Sequence, residues 1–343
     1  MKILHLIGGG DIGGAKVHVL SLVSRLSRDM DIRLVSYRHG SFSDEALKMG
    51  IASEVIRTGS FFRDVRQTVR LIKKERYDVI HCHGAKGNII GYLCRRKTRT
   101  PLISTLHSDY RLDYIHSLFK TVTLGLANAF VLRRMDALVP VTGNFKKMLI
   151  SRGFNPNRIY TIHNGMDFKK PVNTYTRESL CRKFHIPFEE NMILVGILAR
   201  LYPVKSIDTL IEAARLVKTQ NKKVKFLIGG EGEDYRKLDA LVKKYRLQDT
   251  CYFLGWLKDP YELMSVIDIS VLTSISEGLP YSLLEGALFR KATISTAVGG
   301  IPDLIKHNVN GYLLKPKDVQ SLVGHILDLA GDQEKRKLFG SRL

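Results

Sequence analysis

Residues 2–27, KILHLIGGGDIGGAKVHVLSLVSRLS, decide the fold. Lys2 to Ile7 is a short apolar run that reads as a buried strand, and Gly8 to Gly14 reads as a turn. From Ala15 to Ser27 the spacing becomes helical, with Val19, Leu22, Val23 and Leu26 on one face. A strand that feeds a helix through a glycine turn opens a parallel sheet, because parallel neighbours need a crossover between them. The alternation continues. Strands are predicted at 32–36, 78–81, 102–105, 137–141 and 159–163, with helices at 62–75, 87–95 and 144–152. A polar stretch from Asn164 to Asn191, with Pro171 and Pro187, reads as a domain junction. A second series follows, with strands at 193–198, 225–228, 251–254, 269–272, 293–296 and 311–314. Its helices are predicted at 206–218, 234–245, 260–266, 280–289, near Pro302 and at 319–330. The expectation is an α/β chain of two doubly wound parallel-sheet domains, residues 1–168 and 169–343.

The chain carries 54 Lys and Arg against 33 Asp and Glu, a net charge of +21. The excess is uneven: residues 1–168 hold 27 cations against 13 acids, and the remainder 27 against 20. Such a balance attracts nucleic acid, anionic membrane or anionic substrates. No basic recognition helix or aromatic stacking platform is legible, so nucleic acid is set aside as a partner. No stretch reaches the roughly 20 apolar residues of a membrane span. The amino-terminal apolar run enters glycines without the cleavage pattern of a signal peptide. Cys82, Cys94, Cys181 and Cys251 are scattered with no CxxC pair, which argues against disulfides or a zinc site and for a reducing, cytoplasmic setting.

Gly8, Gly10 and Gly13 satisfy the GxGxxG spacing of dinucleotide-binding turns. An NAD(P)-dependent oxidoreductase would need an acid at the end of the second strand for the ribose hydroxyls. Ser36-Tyr37-Arg38-His39 supplies none. The later half is more informative. In Ser276-Glu277-Gly278-Leu279-Pro280-Tyr281-Ser282-Leu283-Leu284-Glu285, Pro280 sits where a helix would begin, at its favoured first position. That places Glu277 in a loop and Glu285 in the helix, two carboxylates beside exposed backbone N–H groups, able to hold a sugar, a diphosphate and a ribose in series. Arg200 and Lys205 follow the first strand of the second series, at the strand end where open parallel sheets bind ligands. Two cations there suit a diphosphate whose charge rises as the bond to it breaks.

Taken in order, these pieces resemble the retaining GT-B glycosyltransferases of family 4, the glycosyl transferases group 1, over nearly the whole chain. The matching pieces are GGAKVHV (13–19), DVIHCHG (78–84), STLHSD (104–109), IHNGMD (162–167) and ARLYPVK (199–205). IGGEGED (228–234), FLGW (253–256), the Glu277 to Glu285 element, AVGGIPDLI (297–305) and NGYLL (310–314) complete the set. The resemblance implies two Rossmann-like domains facing across a cleft, with a UDP- or GDP-sugar donor and an acceptor hydroxyl. It implies that Arg200 and Lys205 bind the diphosphate, Glu277 the transferred sugar and Glu285 the ribose. Backbone of Gly278, Leu279 and Pro280 would line the sugar, and that of Tyr281, Ser282 and Leu283 the phosphates. Gly230, Gly255 and Trp256 would lie by the nucleoside, Gly13 and Gly14 by the phosphates, and His107 near the anomeric carbon. No metal or other cofactor is implied, since Arg, Lys and helix dipoles neutralise the diphosphate. The alternatives kept beside this are a sugar-nucleotide epimerase of the same architecture and a basic nucleic-acid- or membrane-binding protein. Members of the family usually end in a long helix that crosses back to the first domain. Here the sequence stops at KLFGSRL (337–343), which implies that this helix is truncated.

His81 and His83 flank Cys82, and strand geometry puts both imidazoles on one face. A metal pair would lack an evident third ligand, so His83 is read, with Asn164, as a residue lining the acceptor side of the cleft. The acceptor half is the basic half. Arg95, Arg96, Lys97 and Arg99 form one cluster, and the segment from Tyr110 to Arg134 mixes apolar and basic residues as an interfacial helix would. This motivates the expectation of peripheral binding to an anionic inner membrane surface, where a lipid-linked saccharide would wait.

Overall fold

The structure, a computed structural model, describes residues 1–9, 14–111, 121–166, 168 and 175–343. The chain forms two compact units, Met1–Gly165 and Met166–Leu343, dividing three residues before the junction expected from the sequence.

The first unit holds β1 Lys2–Ile7, β2 Asp31–Ser36, β3 Ser53–Val55, β4 Val79–His83, β5 Leu102–Leu106 and β6 Ala137–Pro140. All pair in parallel, in the order β3-β2-β1-β4-β5-β6. The helices are α1 Gly14–Leu26, α2 Ser41–Lys48, α3 Phe61–Glu75, α4 Gly84–Thr98, α5 Leu126–Leu132 and α6 Gly143–Ser151. Period-two alternation sends Leu4 and Leu6 of β1 to one face, where they pack with Ile72, Ile80, Ile90 and Cys94. Ile3 and Ile7 go to the other, against Val19, Leu20, Val23 and Phe42. His5 lies between Ile3 and Ile7 in that alternation and is fully buried.

The strand expected at 159–163 does not form. Ile159 makes an isolated bridge to Leu138, and Tyr160 and Ile162 donate to the carbonyls of Leu138 and Pro140. Pro140 has no N–H to donate back, so the ladder cannot continue.

The second unit begins with α7 Arg177–Lys183, whose N-cap Thr176 accepts from Ser179 N. Its strands are β7 Ile193–Leu198, β8 Val224–Gly229, β9 Cys251–Gly255, β10 Ile269–Leu272, β11 Ala292–Thr296 and β12 Tyr312–Leu314, in the order β12-β11-β10-β7-β8-β9. The helices between and after them are α8 Ile207–Gln220, α9 Tyr235–Lys244, α10 Tyr261–Met264, α11 Tyr281–Leu288, α12 Ile301–Leu304, α13 Val319–Gly331 and α14 Gln333–Arg342. Val195 and Ile197 face α8 and α13 through Leu210, Ala214, Leu322 and Ile326, while Leu194 faces the opposite layer with Leu180, Leu263 and Ile267. Each such side chain contributes about 1.5–3 kcal/mol of burial before entropy is counted.

In each sheet one central pair of strands is where the winding reverses. In the first it is β1 and β4, in the second β7 and β10. Loops leaving the carboxyl ends of such a pair diverge and open a crevice, which is the ligand position of open parallel sheets. Among the described residues no helix is long and apolar enough to cross a membrane.

Candidate functional site

At the reversal point of the second sheet, the loop after β7 meets the loop after β10. Ile275 N donates to Val204 O, and Thr273 Oγ1 to Lys205 O at 2.8 Å. This stitching presents the Lys205 ammonium to Glu277, with Nζ 2.5 Å from Oε1, at side-chain exposures of 15 and 9%. Ser274 Oγ donates to the same oxygen at 2.6 Å. The main chain beyond Glu277 is fixed from behind. Gly300 N donates to Gly278 O, and a Cβ at Gly299 would lie 1.8 Å from Glu277 O. Gly299 also has φ +56, a second reason for glycine there.

Arg200 is exposed on the same loop, and its guanidinium lies over the Tyr202 ring at 5.1 Å. No ion pair joins it to Glu277 among the described residues. The structure therefore unites Lys205 with Glu277 and leaves Arg200 beside them. The Arg200 loop is itself tied to the loop after β8, since Leu201 N donates to Glu231 O. A Cβ at Gly230 would sit 1.9 Å from Ala199 O. Gly255, at φ +64, turns the chain at the end of β9 and leaves Trp256 55% exposed, its backbone N donating to Glu231 Oε1 at 3.4 Å. An exposed indole at a strand end suits a flat base or sugar face.

Pro280 corrects the sequence reading by one residue. It is extended, at φ −71 and ψ 134, and caps α11, so Tyr281 is the first helical residue. Gly278, Leu279, Tyr281 and Leu283 are buried, Ser282 half-buried. Glu285 occupies the second turn of α11 with its carboxyl pushed up to about 7, first by burial and then by Asp259. Tyr281 is raised to about 12, again mainly by burial.

At the reversal point of the first sheet, Gly9 has φ +79, and a Cβ there would meet Arg38 N at 2.9 Å. Gly14 is the exposed first residue of α1, and Gly13 lies outside the described residues. Behind this turn is a cluster of histidines. Register pairs His5 with His81 across β1 and β4, and His83 with Thr105 across β4 and β5. Side chains two residues apart share a face, so His5, His81, His83, Thr105 and His107 form one line toward the carboxyl edge. His81 Nε2 lies 2.7 Å from Thr105 Oγ1. His5 Nδ1 lies 3.0 Å from His83 Nε2, and His83 Nδ1 3.3 Å from His107 Nε2. His18 of α1 packs edge-on to His107 at 4.8 Å, and the half-buried Asn164 lies near its ring.

Two expectations change here. His83 is 1% exposed and lines no open surface, because α1 closes over the strands. The third imidazole that the sequence did not reveal is His5, and the ring nitrogens of His5, His81 and His83 lie within 4.8 Å of one another. This trio does not fit a metal well. Both His83 nitrogens are engaged by other imidazoles and His81 Nε2 by Thr105, while the sealed His5 Nε2 has no hydrogen-bond partner. Burial pushes the His5 and His107 rings down to about 3 and the other three down as well, with neighbouring imidazoles adding repulsion to His5, His81, His83 and His107.

The α4 helix starts at the carboxyl edge and runs back, so its last turn marks the opposite edge of the sheet. There Arg95, Arg96, Arg99, Arg133, Arg134, Arg158 and Tyr92 line a hollow of about 510 Å³. Of these, Arg95 is held by Asp136 at 2.6 Å. The sequence showed these arginines only as separate clusters.

The profile described as Glycosyltransferase Family 4 matches residues 12–170, and that described as Glycosyl transferases group 1 matches residues 182–342. The chain is 24% identical over 322 residues to UDP-Gal:alpha-D-GlcNAc-diphosphoundecaprenol alpha-1,3-galactosyltransferase of Escherichia coli, covering 90% of this chain and 82% of that one. It is 26% identical over 310 residues to the O-antigen biosynthesis glycosyltransferase WclY of Escherichia coli, covering 88 and 81%. Among solved structures, that of Anabaena Alr3699/HepE in complex with UDP-glucose superposes with a TM-score of 0.86 at 24% identity, over 100% of this chain and 93% of that one. Two six-stranded parallel sheets, loops joined at the reversal point of the second, and profiles that between them span both units lead to one assignment: this chain belongs to the family 4 glycosyltransferases, the glycosyl transferases group 1, and has the GT-B fold.

Proposed function

We propose that this chain moves a hexosyl group from a UDP- or GDP-sugar to an acceptor hydroxyl with retention at the anomeric carbon. The observation that carries this is the Lys205–Glu277 pair at the reversal point of the second sheet, beside the start of α11. In this reading Lys205 and Arg200 neutralise the diphosphate, helped by the amino end of α11, so the reaction needs no resident metal. Arg200 leaves Tyr202 to do so. Glu277 accepts from hydroxyls of the transferred sugar, Glu285 from those of the ribose, and Trp256 walls the nucleoside. His107 is assigned to the transferred sugar, near its anomeric carbon. The bond between the anomeric carbon and the diphosphate oxygen breaks, and a bond to the acceptor oxygen forms on the same face. The acceptor proton passes to the departing diphosphate. The E. coli relatives named for a diphosphoundecaprenol substrate and for O-antigen biosynthesis support a saccharide or lipid-linked saccharide acceptor, in cell-surface polysaccharide or glycolipid synthesis. We place the enzyme on the cytoplasmic side.

Two features of the first unit support a peripheral membrane position. Val122, Leu126 and Phe130 are spaced by four along one side of the segment entering and forming α5, and are 60, 64 and 50% exposed. Phe130 stacks under Arg134 and packs edge-on to Tyr92, which joins this stripe to the arginine hollow. Apolar side chains beside six guanidinium groups suit an anionic bilayer surface. Residues 112–120 of the amphipathic segment read from the sequence lie outside the described residues.

Thermal shift with UDP- and GDP-sugars side by side, followed by transfer to a lipid-linked saccharide, tests the reading. A selective shift with one nucleotide and acceptor-dependent product supports it. Turnover of donor alone would indicate an epimerase instead.

A further inference from the structure

His5, His83 and the half-buried His107 form a chain of rings that starts in the core of the first unit and ends at its carboxyl edge. Its links are His5 Nδ1 to His83 Nε2 at 3.0 Å and His83 Nδ1 to His107 Nε2 at 3.3 Å. Burial keeps these rings neutral near pH 7. A neutral imidazole has one N–H and one lone pair. The links therefore share a direction: either all three rings are protonated on Nδ1, or all three on Nε2.

The buried end of the chain chooses between them. His5 Nε2 is sealed from solvent with no hydrogen-bond partner. With every ring protonated on Nε2, that atom would be an orphaned N–H, the rarer kind of unsatisfied buried group in proteins. With every ring protonated on Nδ1, His5 donates to His83, His83 donates to His107, and the sealed position holds only a lone pair.

We propose that His5 and His83 are positioning residues that fix His107 as its Nδ1–H tautomer, so that His107 meets the substrate as a neutral hydrogen-bond donor and not as a base. This rests on the reading above, in which His107 is assigned to the transferred sugar. The consequence is mechanistic. The Nε2 lone pair of His107 is engaged by His83 and its Nδ1 carries the proton, so no basic nitrogen is left to deprotonate the acceptor. That proton must go to the departing diphosphate, as in a same-face displacement. His5 thus acts on the reaction from two rings away.

The test uses full-length protein labelled with 15N-histidine. In the unliganded wild type near pH 7, long-range 1H–15N correlations should show His5, His83 and His107 protonated on Nδ1. An Nε2–H tautomer at His107 would overturn the proposal. His5→Leu removes the first donor. His107 should then populate the Nε2–H form, and kcat should fall about 10- to 100-fold with little change in acceptor KM. His5→Asn, whose amide nitrogen stands near the lost Nδ1, should restore both the tautomer and most of kcat. If His5→Leu keeps the wild-type tautomer and kcat, the proposal is wrong. The wild-type spectrum decides the matter even if the leucine variant fails to fold. Full transfer activity in His107→Ala would count against the functional reading, whereas the spectrum tests the chain itself.

Discussion

Replacing Lys205 by Met strips Glu277 of its only ion-pair partner among the described residues while leaving the carboxylate 9% exposed against Ser274. Breaking one side of a buried pair costs about 3–5 kcal/mol, and the 15% exposure of Lys205 puts this case near the lower figure. For a unit of this size, about 3 kcal/mol lowers Tm by roughly 6–12 °C. Activity should suffer separately, because Lys205 is assigned to the charge that grows on the diphosphate. Losing such a group costs about 10²–10³ in kcat. The double variant Lys205→Met, Glu277→Gln separates the two effects. With no charge left uncompensated, its Tm should recover most of the loss, while kcat stays at or below that of the single variant. Scanning calorimetry and a radiolabelled transfer assay read both quantities. A single variant within a few-fold of wild-type kcat, or a double variant that regains activity along with Tm, would refute the assignment of Lys205 to the diphosphate.

Glu285 predicts a pH signature. Its folded pKa, near 7, lies above the ordinary carboxyl value of 4.5. Between those values the folded state holds a proton that the unfolded state has lost, so this contribution to stability falls as pH rises from 4.5 to 7. The total is on the order of 3 kcal/mol. Glu285→Gln should therefore raise Tm at pH 8 and change it little at pH 4.5. In the wild type, donor KM should fall as pH rises through 7, because the ribose is held by the ionised carboxylate; a pH-independent KM would count against that role. Gly299→Ala places a methyl group against Glu277 O at a positive φ and should cost on the order of 2–4 kcal/mol together with donor affinity. Gly324→Ala, in the exposed face of α13 with open space around it, should gain about 0.5–1 kcal/mol by the same melting assay. Removing Arg96 and Arg99 together should weaken sedimentation with vesicles of anionic lipid by about 30-fold, at about 1 kcal/mol per arginine, without affecting neutral vesicles. Equal binding by the variant would place the membrane contact elsewhere.

Long periodic segments were the legible part of the fold. The strands at 2–7, 193–198 and 269–272 match the structure residue for residue, since each is a mainly apolar run with clear stops. Short capped elements were not legible. α7 has only Leu180 and Cys181 buried, too few to establish a period, and its start is signalled only by the Thr176 cap. β3 is three half-buried residues. Within the site, the positions of Lys205 and Glu277 followed from strand ends and spacing. Ser274, which orients Glu277, and Glu231, beside Trp256, did not, because their roles arise from loops that meet only in three dimensions. His5 carried a signal that sequence reading alone left unused: a histidine between Ile3 and Ile7, in a strand position where alternation calls for an apolar residue.

In the proposed function a nucleoside diphosphate binds at the carboxyl edge of the second sheet. A crystal structure of the protein soaked with UDP or GDP tests it most directly. Diphosphate oxygens are expected within about 3 Å of Lys205 Nζ, with Arg200 moved off Tyr202 to join them and ribose hydroxyls on Glu285. A nucleotide bound at the Gly8–Gly9 turn of the first sheet, with Lys205 still closed on Glu277, would contradict it.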